Sequence, residues 1–201
     1  MSDPSPPRSR AGLAARRAQH ACRDPVPGSL WEPATFEEVM VSDHAAQWQA
    51  AMDEEMASLE AHQTWILEDL PAHANVIPIK WVFKLKTDAT GQVERYKARL
   101  VAKGFKQRDG IDFDEVFAPV SKYANLRALL AVAAEQDLEV RQLVIKTAFL
   151  NGVLDEDLYV AQPPGYATGS ERTLCHLRRA LYGLRQAPRC KWQTVHALPV
   201  L

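Results

Sequence analysis

The chain has 201 residues, 47% of them hydrophobic and 24% charged, and its 24 Lys+Arg against 25 Asp+Glu give a net charge of -1. That is the composition of an ordinary globular protein with enough apolar material for a core. The charge balance excludes a uniformly basic nucleic-acid binder but leaves room for a local patch. No stretch approaches the roughly 18 consecutive apolar residues of a membrane span, and no membrane partner is expected. The N-terminus has basic residues but no apolar h-region, so it does not read as a secretory signal. Cys22, Cys175 and Cys190 are scattered and form neither a disulfide framework nor a C-x-x-C metal pair. They are expected to be reduced thiols of an intracellular protein, with cytoplasm and nucleus both open.

Residues 1–28 contain five Pro with many Ser, Ala and Arg. Such a segment buries too little surface to offset its ordering entropy and is expected to be a disordered tail. The alternative is an Arg-rich organelle presequence, because residues 8–23 hold five Arg and no acid.

Residues 29–79 contain ten Asp or Glu and no Lys or Arg. Thr35-Phe36-Glu37-Glu38 has the form of a capping box. Trp48, Met52, Met56 and Leu59 recur at spacings of four, four and three, the apolar stripe of a helix. Asp53, Glu54 and Glu55, between them, are expected to form a solvated acidic face.

Residues 80–108 reverse the charge, with nine Lys/Arg against Asp88 and Glu94. Trp81 to Lys86 alternates with period two, residues 87–92 are turn chemistry, and Val93 to Ala102 is a second run ended by Gly104. The pattern predicts a β-hairpin. Alternation places Arg95, Lys97 and Arg99 on one face of the second strand, and Lys84 and Lys86 on one face of the first. Coinciding faces would make a cationic ribbon suited to phosphates. The other reading is a solvated edge that resists aggregation.

Residues 109–123 are a loop whose acids Asp112, Asp114 and Glu115 are expected to lie in solvent rather than to bind a metal. Ala124 to Gln136 reads as a helix, Leu138 to Leu143 as a strand, and Leu158-Tyr159-Val160 as a short strand stopped by Pro163-Pro164-Gly165. Leu174 to Leu184 reads as a helix broken by Pro188. It lies within 171–191, where six Lys/Arg face Glu171. No internal repeat is visible.

Four segments then align in order: Lys80-Trp81-Val82-Phe83-Lys84; Tyr96-Lys97-Ala98-Arg99-Leu100-Val101-Ala102-Lys103-Gly104-Phe105; Lys146-Thr147-Ala148-Phe149-Leu150-Asn151-Gly152; and Leu181-Tyr182-Gly183-Leu184-Arg185-Gln186-Ala187-Pro188-Arg189. Phe117-Ala118-Pro119-Val120 and Gln162-Pro163-Pro164-Gly165-Tyr166 support them. Together they resemble the reverse transcriptase of copia-type retrotransposon polyproteins, over about residues 31–192. The resemblance implies an RNA-directed DNA polymerase. The fold class it implies is α+β, a partial right-hand polymerase with fingers and an incomplete palm over residues 29–192. Residues 193–201 look unlike the family.

The family's chemistry is an in-line attack of a primer hydroxyl on a nucleotide α-phosphate, assisted by two Mg²⁺ ions on aspartates. The resemblance places the first of these aspartates at Val144, which cannot bind a metal. The others lie in a Tyr-x-Asp-Asp hairpin, and this chain contains no Asp-Asp pair. The expectation is therefore a chain with no catalytic residue and no metal or cofactor of its own. An aspartate at 144 without its metals would be a buried, unpaired charge, which valine avoids in a strand. Asp155, Glu156 and Asp157 are the nearby acids considered as replacements. His62 stands where the family often has Asn.

By resemblance, Lys84 and Arg99 contact the triphosphate of a nucleotide. Phe149 crowds a ribose 2′-hydroxyl, and Gly183 and Gln186 lie along template and nucleotide. Phe149 could equally be core, and Gly183 only a helix end. Lys86, Arg95, Lys97, Lys103, Arg185 and Arg189 are the further candidates for contact with an RNA or DNA template-primer. The incomplete palm implies an open edge and apolar face, hence marginal stability, self-association or docking of a partner.

Overall fold

The computed structural model describes residues 31–71, 74–119, 121–142, 144–145 and 147–196. The expected tail at 1–28 lies outside them, as do residues 197–201. From Pro33 onward the described residues form one compact unit of mixed α and β structure.

Helix α1 (Phe36–Met40) begins where the capping box places it. Thr35 Oγ1 accepts the Glu38 N–H at 3.2 Å, and the Glu38 carboxylate accepts the Ala34 N–H at 2.7 Å, one residue before the usual position. Helix α2 (Ala45–Ala61) buries Trp48, Met52, Met56 and Leu59 along one stripe, as the spacing predicts.

A four-stranded sheet has the order β1 (Trp65–Asp69), β6 (Thr173–Leu177), β5 (Tyr159–Val160), β2 (Val76–Ile77). Pairing is antiparallel except between β2 and β5. Pro78 separates β2 from β3 (Ile79–Thr87), which forms a two-stranded antiparallel hairpin with β4 (Val93–Ala102). The Pro78 carbonyl accepts the Lys103 N–H at 2.8 Å and ties the end of the hairpin to its start.

The hairpin's inner face carries Ile79, Trp81, Phe83, Ala98, Leu100 and Ala102, all buried. Trp48 of α2 meets Phe83 and Tyr96 edge-on, with centroids 5.3 and 4.8 Å away. Such pairs add to the burial of apolar area that holds helix to hairpin. The connecting turn is fixed by Asp88, whose carboxylate accepts from the Thr90 N–H, the Thr90 hydroxyl and the Gln92 N–H at 2.6–2.9 Å. Gly91, at φ +83°, supplies the left-handed residue the turn needs.

Three expectations need correction. Residues 173–177 are strand β6 rather than helix; a short apolar run fits either, and β1 and β5 on its two sides decide for strand. Helix α4 (Ala187–His196) starts beside Pro188 instead of being broken by it. A proline is well suited to a first helical turn, where its missing N–H has no intrahelical partner. Residues 138–142 and 144–145 form no strand; no neighbouring strand offers them a ladder.

Helix α3 (Tyr123–Glu135) forms close to its predicted bounds, with only Ala133 buried. Tyr123, Leu126, Leu129, Leu130 and Val132 are all exposed, and so are Leu138, Val140 and Val144 after the helix.

Candidate nucleic-acid interface

Register settles whether the basic faces of the hairpin coincide. Lys84 lies opposite Lys97, Lys86 opposite Arg95, and Val82 opposite Arg99. Directly opposed residues share a face, so the five cations form one outward ribbon, with Lys80 at its base. Lys103 follows β4, half-buried.

The acids of α2 were expected to be solvated, but all three are engaged. Helix α2 runs along the outer edge of β4, and both Glu54 oxygens accept from the Arg95 guanidinium, one at 2.6 Å. Glu55 accepts the Leu100 N–H at 3.3 Å, covering an edge donor that would otherwise invite strand pairing. Burial raises the Glu55 pKa above the usual carboxylate value, against the opposing pull of that N–H, Arg99 and Lys97. Lys97 is shifted down by burial first and then by Arg99 and Arg95. Asp53 accepts from Gln49 at 3.0 Å and from the Tyr166 hydroxyl. Burial and this bond raise the Tyr166 pKa.

Arg99 reaches beyond the ribbon into a column of rings. Its guanidinium carbon is 5.5 Å from the Tyr182 centroid, Tyr182 meets Phe149 edge-on at 5.2 Å, and Lys191 Nζ is 5.4 Å from the Phe149 centroid. The column joins β4, the turn at 147–152, the segment after β6, and α4. Cations over aromatic faces are held by the ring quadrupole. Phe149 is thus partly buried against the core and still part of this surface. Tyr182 and Lys191 were not singled out from sequence; their aromatic and basic character one to eight residues from Gly183, Gln186 and Arg189 was the available signal.

Gly183, at φ +89°, crosses the end of β4 so closely that a Cβ would meet the Ala102 carbonyl oxygen at 2.2 Å. It is a backbone crossing rather than a helix end. Gln186 is fully buried: its Nε2 donates to the Asp112 carbonyl at 2.9 Å and its Oε1 accepts from Gln107 at 3.0 Å. Gln107 Oε1 in turn accepts the Arg185 N–H at 2.9 Å. Asp112 was expected in solvent and is instead buried. Its carboxylate accepts from Asn75 and from the Arg108 N–H, both at 2.6 Å. Arg185 lies 5.3 Å from the Phe113 ring and donates to the Gly104 carbonyl. Arg189 pairs with Glu156 at 3.1 Å, both half-buried, leaving Arg189 Nε and Glu156 Oε2 without a hydrogen bond among the described residues.

Val144 is 80% exposed on irregular backbone, which corrects the expectation of a buried strand residue. Its side chain has no oxygen to offer Mg²⁺. Glu156 is bound to Arg189, and Asp157 lies 3.3 Å from His176 Nε2, with Glu68 3.1 Å from Nδ1. These residues do not fit a two-metal site, and among the described residues no group of three His, Cys, Asp or Glu is placed to hold a metal ion. His62 instead has a positioning geometry. Its Nδ1–H donates to the Ser58 carbonyl at 2.6 Å, so Nε2 accepts the Thr147 hydroxyl at 3.1 Å. Thr147 itself sits at φ +50°.

Residues 62–199 match the family model described as reverse transcriptase (RNA-dependent DNA polymerase). The chain belongs to the copia-type reverse transcriptase family. It is 49% identical over 159 residues to the retrovirus-related Pol polyprotein from transposon TNT 1-94 of Nicotiana tabacum, covering 79% of this chain and 12% of that protein. To the Pol polyproteins from transposons RE1 and RE2 of Arabidopsis thaliana it is 42% and 39% identical. Those matches cover 71% and 79% of this chain, and 10% and 11% of the relatives. The reverse transcriptase chain thus spans about a tenth of the length of these relatives. No solved structure matches it.

Proposed function

We propose that this chain is a nucleic-acid-binding portion of a copia-type reverse transcriptase that does not itself carry out nucleotide transfer. The observation that carries the binding reading is the register of the hairpin, which puts Lys84, Lys86, Lys97 and Arg99 on one face beside the Tyr182–Phe149 rings. Point charges from Lys and the planar fork of Arg suit a phosphate backbone, and the rings suit ribose or base. The observation that supports inactivity is Val144, together with the engagement of Glu156 and Asp157 elsewhere.

A fluorescence-anisotropy titration with a labelled primer–template duplex, repeated across salt concentrations, tests the binding. Four phosphate contacts predict a slope of log K against log salt of about -3 to -4. Binding lost in a Lys84→Ala, Arg99→Ala double variant is the expected result; salt-insensitive binding, or none at low salt, would sink the reading. Template-dependent incorporation by the purified chain with Mg²⁺ would overturn the inactivity.

The exposed apolar side of α3 favours a second reading, a docking face for a partner. Sedimentation over a range of concentrations tests it. Concentration-dependent assembly abolished by Leu126→Glu and Leu129→Glu is expected, and a wild-type chain that stays monomeric without bound partner at all concentrations counts against self-association.

A further inference from the structure

Away from the ribbon, a cleft of about 600 Å³ opens where the end of α2 meets β1 and the residues after β6. That volume is in the range of sites for small ligands. Its lining combines Trp65, Leu59, Ile66 and Val153 with Arg178 and Arg179.

The cleft is built by backbone bonds rather than by side chains that happen to meet. The Thr64 carbonyl accepts both the Arg178 and Arg179 N–H groups, at 2.8 and 3.1 Å. Val153 and Arg179 form an antiparallel bridge. Arg179 Nη1 donates to the Asn151 carbonyl at 3.1 Å, which fixes that guanidinium. Trp65 pairs with Leu177 in the β1–β6 register, immediately before Arg178. An aromatic and a cationic residue, Trp65 and Arg178, therefore share the lining of one cleft. The Arg178 side chain is exposed, and its guanidinium makes no hydrogen bond or ion pair among the described residues.

A flat apolar ring and an exposed arginine in one lining suit a base followed by its phosphate: the base stacks on indole, and the phosphate oxygens accept from the arginine fork. The geometry points to a second binding site in this cleft, for a short single-stranded segment of nucleic acid with a phosphate on Arg178 and a base on Trp65. It is separate from the ribbon and does not depend on it.

The test uses the whole chain and a fluorescein-labelled, 5′-phosphorylated deoxyadenosine trinucleotide at about 0.15 M salt, where exposed charges farther apart than about 8 Å are largely screened. Saturable binding weakened at least fivefold by Arg178→Ala is expected. Arg178 is exposed and makes no side-chain bond among the described residues, so this variant keeps the fold. Trp65→Leu should weaken binding as well, while the Lys84→Ala, Arg99→Ala double variant should not. Trinucleotide binding lost in that double variant would mean that the ribbon is the site and would overturn the inference while supporting the ribbon. A poly-glutamate peptide that competes as well as the trinucleotide would overturn it too, by showing an acidic-peptide site. No saturable binding, or equal binding by Arg178→Ala, removes the cleft as a site whatever the ribbon does.

Discussion

Gly183 and Ala102 touch backbone to backbone: the Tyr182 carbonyl accepts the Ala102 N–H at 2.7 Å, and a Cβ on Gly183 would lie 2.2 Å from the Ala102 oxygen. Gly104 completes the crossing, because its own Cβ would meet the Gly183 oxygen at 2.1 Å. The contact docks the segment bearing Tyr182 onto the end of β4, and so places the ring beside Arg99. Gly183→Ala adds a methyl where there is no room and where φ is +89°. We expect a loss of about 2–4 kcal/mol, measured by urea unfolding. Duplex affinity should fall with it, since Tyr182 would be displaced. A variant with unchanged midpoint would show that the crossing is looser than described.

Glu55 should restrain the ribbon rather than stabilise the fold. Its raised pKa means that the folded chain holds the proton more tightly than the unfolded chain does. Above the usual value of 4.5 the folded form binds more protons, so stability falls as pH rises through the folded pKa. Glu55→Gln keeps an acceptor for the Leu100 N–H and removes the charge. We expect the variant to be no less stable at pH 7 and to lose the decline in stability with rising pH above about 4.5. Its duplex affinity should rise, because Arg99 and Lys97 lose a neighbouring anion. Thermal melts between pH 4 and 8, with anisotropy at pH 7, check both effects. Lower affinity in the variant would contradict the assignment.

Asp88 acts in the opposite sense. Its hydrogen bonds, that of the Thr90 hydroxyl first, lower its pKa below the usual 3.8. The stability it contributes is present above that usual value and is lost as pH falls through the folded one. Asp88→Ala should lower the melting temperature at pH 7, and its difference from wild type should shrink as pH falls below 3.8. A constant difference across that range would assign the effect to something other than the carboxylate.

The hairpin and α2 were legible because their patterns are local: period two in residues 81–86, spacings of four and three from Trp48 to Leu59, and turn chemistry at 87–92. The shared basic face was legible up to the register, which strand pairing alone fixes. Three features depend on long-range partners and were not. Glu54 and Glu55 look like solvated acids until α2 is laid along β4. Asp112 becomes a buried acceptor only when Gln107, Gln186 and Asn75 converge on its turn, from up to 74 residues away. Leu174 to Leu177 has the same apolar run in a helix or a buried strand, and only β1 and β5 decide between them. Family resemblance supplied Gly183 and Gln186 as positions of interest; the structure gives them a crossing and an internal amide network.

Val144 is the position where the resemblance and the geometry can be separated. A buried aspartate without metals would cost several kcal/mol, but at 80% exposure the substitution Val144→Asp should change stability by no more than about 0.5 kcal/mol. It should also fail to create activity on its own, because Glu156 remains with Arg189 and Asp157 with His176. Primer extension with Mg²⁺ should show no incorporation above the wild-type chain, and isothermal titration with Mg²⁺ should show no new binding step. Incorporation by this single variant would mean that other carboxylates can reach residue 144, and the proposed inactivity would then rest on one side chain.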